Sequence, residues 1–150
     1  MINLNLLRFK PALRLEKRRD QTVIWDPIRR RWISSGPEEM VRQLLLLYFI
    51  EEMKYPDRLI QVEKVLQVHQ RRRRFDILLY DRSLKPHLLV ECKRPELEID
   101  QDTFDQISRY NIALQVPYML VSNGRSNHCC IIDYQLKTYQ FLNEIPVLSS

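Results

Sequence analysis

Glycine is scarce in this sequence, with only Gly36 and Gly124 among 150 residues. A phosphate-cradling loop of the G-x-x-x-x-G-K type and a dinucleotide-binding fingerprint both need several closely spaced glycines, because their backbones must approach the phosphates. Neither motif can form here. The sequence therefore argues against an ATP site and excludes nucleotide-driven motor activity for this chain.

Cysteine and histidine are also few. Cys92, Cys129 and Cys130 lack the C-x-x-C spacing of a zinc ribbon and do not suggest a disulfide framework, so we expect reduced thiols. Three histidines without a G-x-S-x-G elbow argue against a serine-hydrolase triad. The apolar run LLLLYFI is too short to cross a bilayer, and the start lacks a leader pattern. We expect a soluble cytoplasmic protein without a membrane partner.

Positive charge, by contrast, is in excess and clustered. The formal charge is +5, and most of the excess comes from the arginines at 18–19, 29–31 and 71–74. Such clusters favour polyanionic partners such as nucleic acid, although a run of charge is also typical of a solvated surface.

The length and a hydrophobic content of 45% predict one globular unit. Residues 1–36, rich in arginine and broken by Pro11 and Pro27, predict an N-terminal β-rich arm or hairpin packed on a domain formed by 37–150. In that domain the periodicity predicts an α/β arrangement in the order helix, three strands, helix, strand, strand. The first predicted helix begins near Pro37 and the second spans 100–115. The predicted strands lie at 59–68, 74–80, 87–93 and 117–124, with one or two more in 129–142.

Two of these strands contain ionisable residues in otherwise apolar runs. If 74–80 and 87–93 form an antiparallel hairpin that turns in DRSLKP, paired residues have numbers that sum to 167, and Asp76 faces Glu91. Alternation then places Glu91 and Lys93 on one face, and Val90 and Cys92 on the other.

Facing carboxylates repel each other unless a cation joins them. Two acids with a nearby lysine suit a hard divalent ion such as Mg²⁺, with the amine close to an attacking water or to a phosphate. The alternative is a structural ion pair between Glu91 and Lys93, with Asp76 at a sheet edge.

The motifs FD and VECK resemble the D…E-x-K core of the PD-(D/E)xK nuclease superfamily, whose fold is the restriction-endonuclease-like αβββαβ core with a mixed central sheet flanked by helices. Five ordered segments resemble the nuclease domain at the N-terminus of type I restriction enzyme R (HsdR-like) subunits: GPEEMVRQLLL, RRRRFDILLYD, LLVECKRP, FDQISRYN and YMLVSNG. The resemblance covers residues 36–124. Phe75 stands where the superfamily name has proline. R subunits continue into a helicase-like motor, whereas this chain stops at Ser150. The resemblance therefore implies nuclease chemistry but not ATP-driven translocation, and we expect a stand-alone relative.

The resemblance also implies roles for individual residues. Asp76 and Glu91 would bind a catalytic Mg²⁺, for which Mn²⁺ could substitute, with the Cys92 carbonyl as a further ligand. Lys93 would orient or deprotonate water and stabilise the developing charge on the phosphate.

Two helices would contribute further site residues. Glu38 would complete the metal site, and we prefer it to Glu39 because it lies one helical step from Val41; either acid alone also suits the positive end of a helix. Gln106 and Tyr110 form a Q-x-x-x-Y motif that supports the site in related nucleases. At a spacing of four they share a helix face, although such a pair alone also fits amphipathic packing.

Basic residues next to the hairpin suit a phosphate backbone gripped without sequence specificity. Those expected to bind nucleic acid are Arg71, Arg72, Arg73, Arg74 and Arg94. We therefore expect a Mg²⁺-dependent DNA nuclease that acts as an endonuclease, with a second copy of the chain or restriction-modification subunits as partners. The alternatives are a non-catalytic DNA-binding or scaffold module, a subunit that needs a partner for activity, and a nuclease that acts on RNA.

Overall fold

The computed structural model describes residues 1–68 and 70–148, except for the side chains of Val68, Tyr110, Ile112 and Ala113. A six-stranded sheet with a helix against each face follows a separate three-stranded sheet in the chain. Within the described residues no helix is long and apolar enough to span a membrane.

The N-terminal sheet is antiparallel in the order β1-β2-β3, with strands β1 (Leu15–Arg18), β2 (Gln21–Asp26) and β3 (Arg31–Ser34). The central sheet has the order β4-β5-β6-β7-β8-β9 and contains β4 (Ile60–Val68), β5 (Arg71–Tyr80), β6 (Pro86–Cys92), β7 (Tyr118–Ser122), β8 (Asn127–Asp133) and β9 (Thr138–Leu142). The helices are α1 (Pro37–Leu47), which continues into a π-helical turn (Tyr48–Glu52), and α2 (Gln101–Leu114). Among the described strands of this sheet, β6 and β7 alone pair in parallel, through the α2 crossover, so the sheet is mixed.

Helix α1 covers one face of the central sheet. Pro37 occupies its first turn, where the missing N–H costs nothing. Leu44 and Leu45 are buried against the inward side chains of β5 and β6, including Ile77 and Val90. Each fully buried leucine contributes about 1.5–3 kcal/mol to folding, so this face fixes α1 against the hairpin.

Helix α2 covers the opposite face. The side chain of Asp100 accepts a hydrogen bond from the Thr103 N–H at 2.9 Å, which caps the start of the helix. Phe104 and Ile107 pack on β7 and β8. The cysteines are buried free thiols, as the sequence predicted: Cys92, Cys129 and Cys130.

The β5–β6 hairpin has the register that the sequence predicted. Ile77 pairs with Val90 and Leu79 with Leu88, so the paired numbers sum to 167. The carboxylate of Asp81 organises the turn by accepting hydrogen bonds from the N–H groups of residues 83 and 85 at 2.9 and 3.0 Å.

The N-terminal arm is β-rich, as predicted, and also contains a 3₁₀ helix (Leu6–Ala12). Leu4 and Leu6 belong to the same buried cluster as α1 and the central sheet. The N–H of Ile2 donates to the carbonyl of Asn127 on β8 at 2.8 Å. These contacts fasten the first residues of the chain to the core.

Candidate active site

The two strands of the hairpin separate where Asp76 and Glu91 meet. Backbone pairing between β5 and β6 ends at Ile77 and Val90. The N–H of Cys92, two residues after Val90 on the same edge of β6, donates to Oδ2 of Asp76 at 2.7 Å and not to the backbone of β5. The Lys93 N–H turns to β7 and donates to a carbonyl there at 2.8 Å. The acidic residues therefore lie at a fork in the sheet.

Asp76 lies close enough to Glu91 to affect the ionisation of Glu91. Burial raises the pKa of Glu91 well above its ordinary value, and the charge of Asp76 and a hydrogen bond to it raise this pKa further. The positive charges of Lys93 and Arg42 act in the opposite direction without cancelling the rise. Two carboxylates in this position call for a shared proton or a cation.

Lys93 lies directly after β6 with a partly exposed side chain. Its ammonium group is close enough to lower the pKa of Glu91. The chain thus brings together the three residues singled out in the hairpin, namely Asp76, Glu91 and Lys93; their catalytic roles stay predictions.

Arg42 on α1 is a member of this site that sequence reasoning missed. Its side chain is only 8% exposed, and NH2 lies 3.1 Å from Oδ1 of Asp76. NH1 lies 3.3 Å from Oε1 of Glu63 and 3.6 Å from Oε1 of Glu39. An arginine among the buried apolar positions of a helix was the available signal, because such a residue needs acidic partners.

Arg29, in the turn between β2 and β3, extends this network into the N-terminal arm. Its Nε lies 2.7 Å from Oδ2 of Asp26, NH2 lies 2.8 Å from Oε1 of Glu39, and NH1 lies 3.0 Å from Oε2 of Glu63. Among the described side chains of this cluster, four carboxylates surround the two guanidinium groups of Arg29 and Arg42.

Glu63 lies on β4 between Val62 and Lys64, which pair with Ile77 and Phe75 on β5, and has a left-handed backbone, with φ of +53°. The strand bends at this point: Val62 packs on the α1 side, whereas Leu66 packs on the α2 side with Phe75. A non-glycine residue in this conformation costs about 1 kcal/mol or more. The bend directs the Glu63 side chain to the arginines.

The choice of Glu38 over Glu39 as an inward-facing acid was wrong. Glu38 is exposed, whereas the Glu39 side chain is 11% exposed and lies within 2.8 Å of Arg29. Gln43 also donates to Glu39, at 3.2 Å. Arg29, Arg42 and Gln43 therefore enclose the Glu39 carboxylate.

The Q-x-x-x-Y motif lies on α2, against the face of the sheet opposite α1. Gln106 is exposed there, and no described contact joins it to Asp76. The side chain of Tyr110 lies outside the described residues. A role for this motif stays a prediction.

The four consecutive arginines do not form one surface. Strand alternation places Arg71 and Arg73 on the side of buried Phe75, and Arg72 and Arg74 on the other side. NH1 of Arg74 lies 3.9 Å from Oε1 of Glu63, so this second side faces the acidic cluster. Arg94 is exposed next to Lys93.

The donors at the fork fit a Mg²⁺ ion held by two carboxylates. Mg²⁺ commonly uses one or two protein carboxylates and keeps several waters, and Asp76 and Glu91 supply that pair. Among the described residues no group of three acidic, histidine or cysteine side chains is placed to hold a metal. The predicted three-carboxylate set with Glu38 is therefore not formed.

The mixed sheet, the helix on each face and the hairpin with two acids and a lysine define a restriction-endonuclease-like domain. A family model described as the type I restriction enzyme R protein N terminus (HSDR_N) matches residues 37–146. The chain belongs to this family.

A solved structure described as a fragment of an HsdR subunit of a type I restriction enzyme from Vibrio vulnificus YJ016 has the same fold, with a TM-score of 0.53 and 19% sequence identity. The match covers 73% of this chain and 23% of that chain, so the present chain spans about a quarter of its length. The comparison with curated proteins gives no match.

Proposed function

We propose that this chain is a Mg²⁺-dependent DNA nuclease domain that hydrolyses phosphodiester bonds. The observation that carries the proposal is the contact between Asp76 and Glu91 at the fork of the hairpin, with Lys93 beside it. Membership of the type I R protein N-terminal family supports a nuclease in a restriction-modification setting.

A bound Mg²⁺ would supply the positive charge that activates a water and stabilises the phosphate during in-line attack. Arg42 and the Cys92 N–H contact the two oxygens of Asp76 at 3.1 and 2.7 Å, and these contacts would fix the direction from which Asp76 binds the ion. Glu91 would bind as the ionised carboxylate. The ammonium of Lys93 would orient the water or hold a phosphate oxygen.

Cleavage of supercoiled plasmid and of linear single-stranded DNA with Mg²⁺, Mn²⁺ or EDTA tests the proposal. We expect metal-dependent cutting that Asp76→Ala abolishes and that Asp102→Ala, at an exposed position of α2, retains. Nicked circles would indicate endonuclease action, and shortened linear products exonuclease action. Matched DNA and RNA substrates separate the two nucleic acids.

A non-catalytic DNA-binding module is the second candidate, because both Asp76 oxygens already have partners in the chain. Folded protein that shifts DNA in a gel but cuts nothing with any metal would favour this module, or a subunit that needs its partner, over the nuclease.

The two sides of the arginine run are expected to differ in DNA binding. Reversing charge at Arg72 and Arg74 should weaken binding to all sequences, and the slope of log affinity against log salt should fall by about two. The same change at Arg71 and Arg73, on the side of buried Phe75, should have a smaller effect. Titrations at several salt concentrations measure both. Equal slopes for the two double variants would show that strand alternation does not decide which arginines contact DNA.

A further inference from the structure

The positive charge of the chain is concentrated in its first 36 residues. They contain nine of the 24 basic residues and three of the 19 acidic ones, for a formal charge of +6. Residues 37–150 carry a formal charge of −1. The basic character of the protein therefore belongs to the N-terminal arm and not to the domain that contains the fork.

Most of this charge is on the surface. Of the nine basic residues, only Arg29 is directed into the core network; the exposed ones are Arg8, Lys10, Arg14, Lys17, Arg18, Arg19, Arg30 and Arg31. Of the three acidic residues, Asp26 is buried, so only Glu16 and Asp20 oppose the positive charge at the surface. A phosphate backbone is the complementary partner for such a surface.

The outer face of the N-terminal sheet pairs arginine with tryptophan. Trp25 and Trp32 are opposite each other on β2 and β3, with ring centres 5.5 Å apart. The Arg14 guanidinium lies 5.1 Å from the Trp25 ring centre and 5.5 Å from that of Trp32. The Arg18 guanidinium lies 5.0 Å from the Trp32 ring centre. Stacking pre-organises the guanidinium planes for phosphate oxygens. Nη2 of Arg18 also lies 3.5 Å from Oε2 of Glu16, in an exposed ion pair that contributes little to stability and that a phosphate can replace.

The inner face of the same sheet is joined to the candidate active site. Ile24 and Asp26 alternate with Trp25 on β2 and are fully buried. Asp26 binds Arg29, and Arg29 contacts Glu39 and Glu63 beside Arg42. The outer face is therefore held at a fixed position relative to Asp76.

The N-terminal sheet is positively charged, stacks arginine on tryptophan and is attached to the candidate active site. We therefore propose that its outer face is a second DNA-binding surface, which contacts the phosphate backbone of the substrate. This surface is centred on Arg14, Arg18, Trp25 and Trp32. The proposal rests on the proposed function, because DNA is taken as the substrate. Basic surfaces interleaved with aromatic rings suit nucleic acid backbones without sequence readout. Binding here would be non-specific and dependent on salt.

The test is an Arg14→Gln/Arg18→Gln double variant of the full chain, compared with Arg82→Gln/Lys85→Gln in the exposed β5–β6 turn. The arm variant should bind a labelled duplex about tenfold more weakly at moderate salt, with a slope of log affinity against log salt smaller by about two. The turn variant removes the same charge and should bind like the unmodified chain. Circular dichroism and thermal unfolding establish that both variants are folded.

Binding is measured in EDTA, so the result does not depend on whether the chain cleaves DNA. An arm variant with unchanged affinity and slope would overturn the DNA-binding surface, even if Asp76-dependent cleavage persisted. An equal loss in the turn variant would also overturn it, because the effect would then be one of net charge alone. Weaker binding of polyglutamate with unchanged DNA binding would assign the surface to an acidic protein and overturn the proposal.

Discussion

Lys93→Ala is expected to reduce metal-dependent DNA cleavage by at least about 100-fold while changing DNA affinity by no more than about threefold. A positioned group that assists proton transfer or charge stabilisation contributes roughly 10²- to 10⁴-fold to rate. Binding to a phosphate backbone is shared among many contacts, so the loss of one ammonium alters it little. Single-turnover cleavage with protein in excess, alongside binding in EDTA, measures the two effects separately.

Lys85→Ala is the matched control, because Lys85 lies in the exposed turn at the other end of the same hairpin. It should cleave like the unmodified chain. Cleavage by Lys93→Ala at the rate of the unmodified chain would show that Lys93 takes no part in the reaction. A loss of binding as large as the loss of cleavage would make Lys93 a phosphate contact instead.

Asp26→Asn is expected to lower the free energy of unfolding by about 3–5 kcal/mol, the usual cost of breaking a buried ion pair by removing one charge. Asp26 is 0% exposed and accepts hydrogen bonds from the side chains of Arg29 at 2.7 Å and Gln43 at 2.9 Å. It also accepts from the N–H groups of Ile28 and Arg29. The asparagine amide would direct N–H groups at these donors, and the positive charge of Arg29 would lose one of its carboxylate partners. Urea unfolding measures the difference.

The stability that Asp26 contributes should also depend on pH. Burial raises its pKa, but hydrogen bonds from Arg29 and Gln43 outweigh this effect and leave the pKa below the ordinary value of 3.8. A lowered pKa in the folded state means that the contribution is full above pH 3.8 and is lost as pH falls through the folded-state pKa. The difference in unfolding free energy between the unmodified chain and Asp26→Asn should therefore shrink in acid.

Asp20→Asn, at an exposed position between β1 and β2, is the control and should change stability little. A destabilisation of Asp26→Asn that stays constant into strong acid would contradict an ionised Asp26 in the folded protein.

The hairpin was the part of the site most open to prediction. Its register follows from the turn position and from alternation, both local properties of the sequence. The contact between Asp76 and Glu91 came from that arithmetic and needed no knowledge of the rest of the fold. The separation of the strands there was not predictable, because it depends on the Cys92 N–H donating to the carboxylate of Asp76 and not to the β5 backbone.

The charged residues of α1, by contrast, could not be assigned from local patterns. Glu38 and Glu39 have similar positions on an isolated helix, and helical spacing favoured the wrong one. Glu39 is buried because Arg29, ten residues earlier in the chain, reaches it across the arm. Arg42 was missed for the same reason, since its partners Glu63 and Asp76 come from two other strands.

Periodicity and local turns account for the α/β class, the order of the elements and the β5–β6 register, and with that register for the proximity of Asp76, Glu91 and Lys93. Three other features depend on tertiary contacts: Arg42 and Arg29 surround the acids, β5 extends back to Arg71 along β4, and the N-terminal sheet is joined to the site. The first and third of these contacts join segments far apart in the chain. Burial selects them by requiring each enclosed charge to have an opposite partner, and no local pattern records which distant residue supplies it.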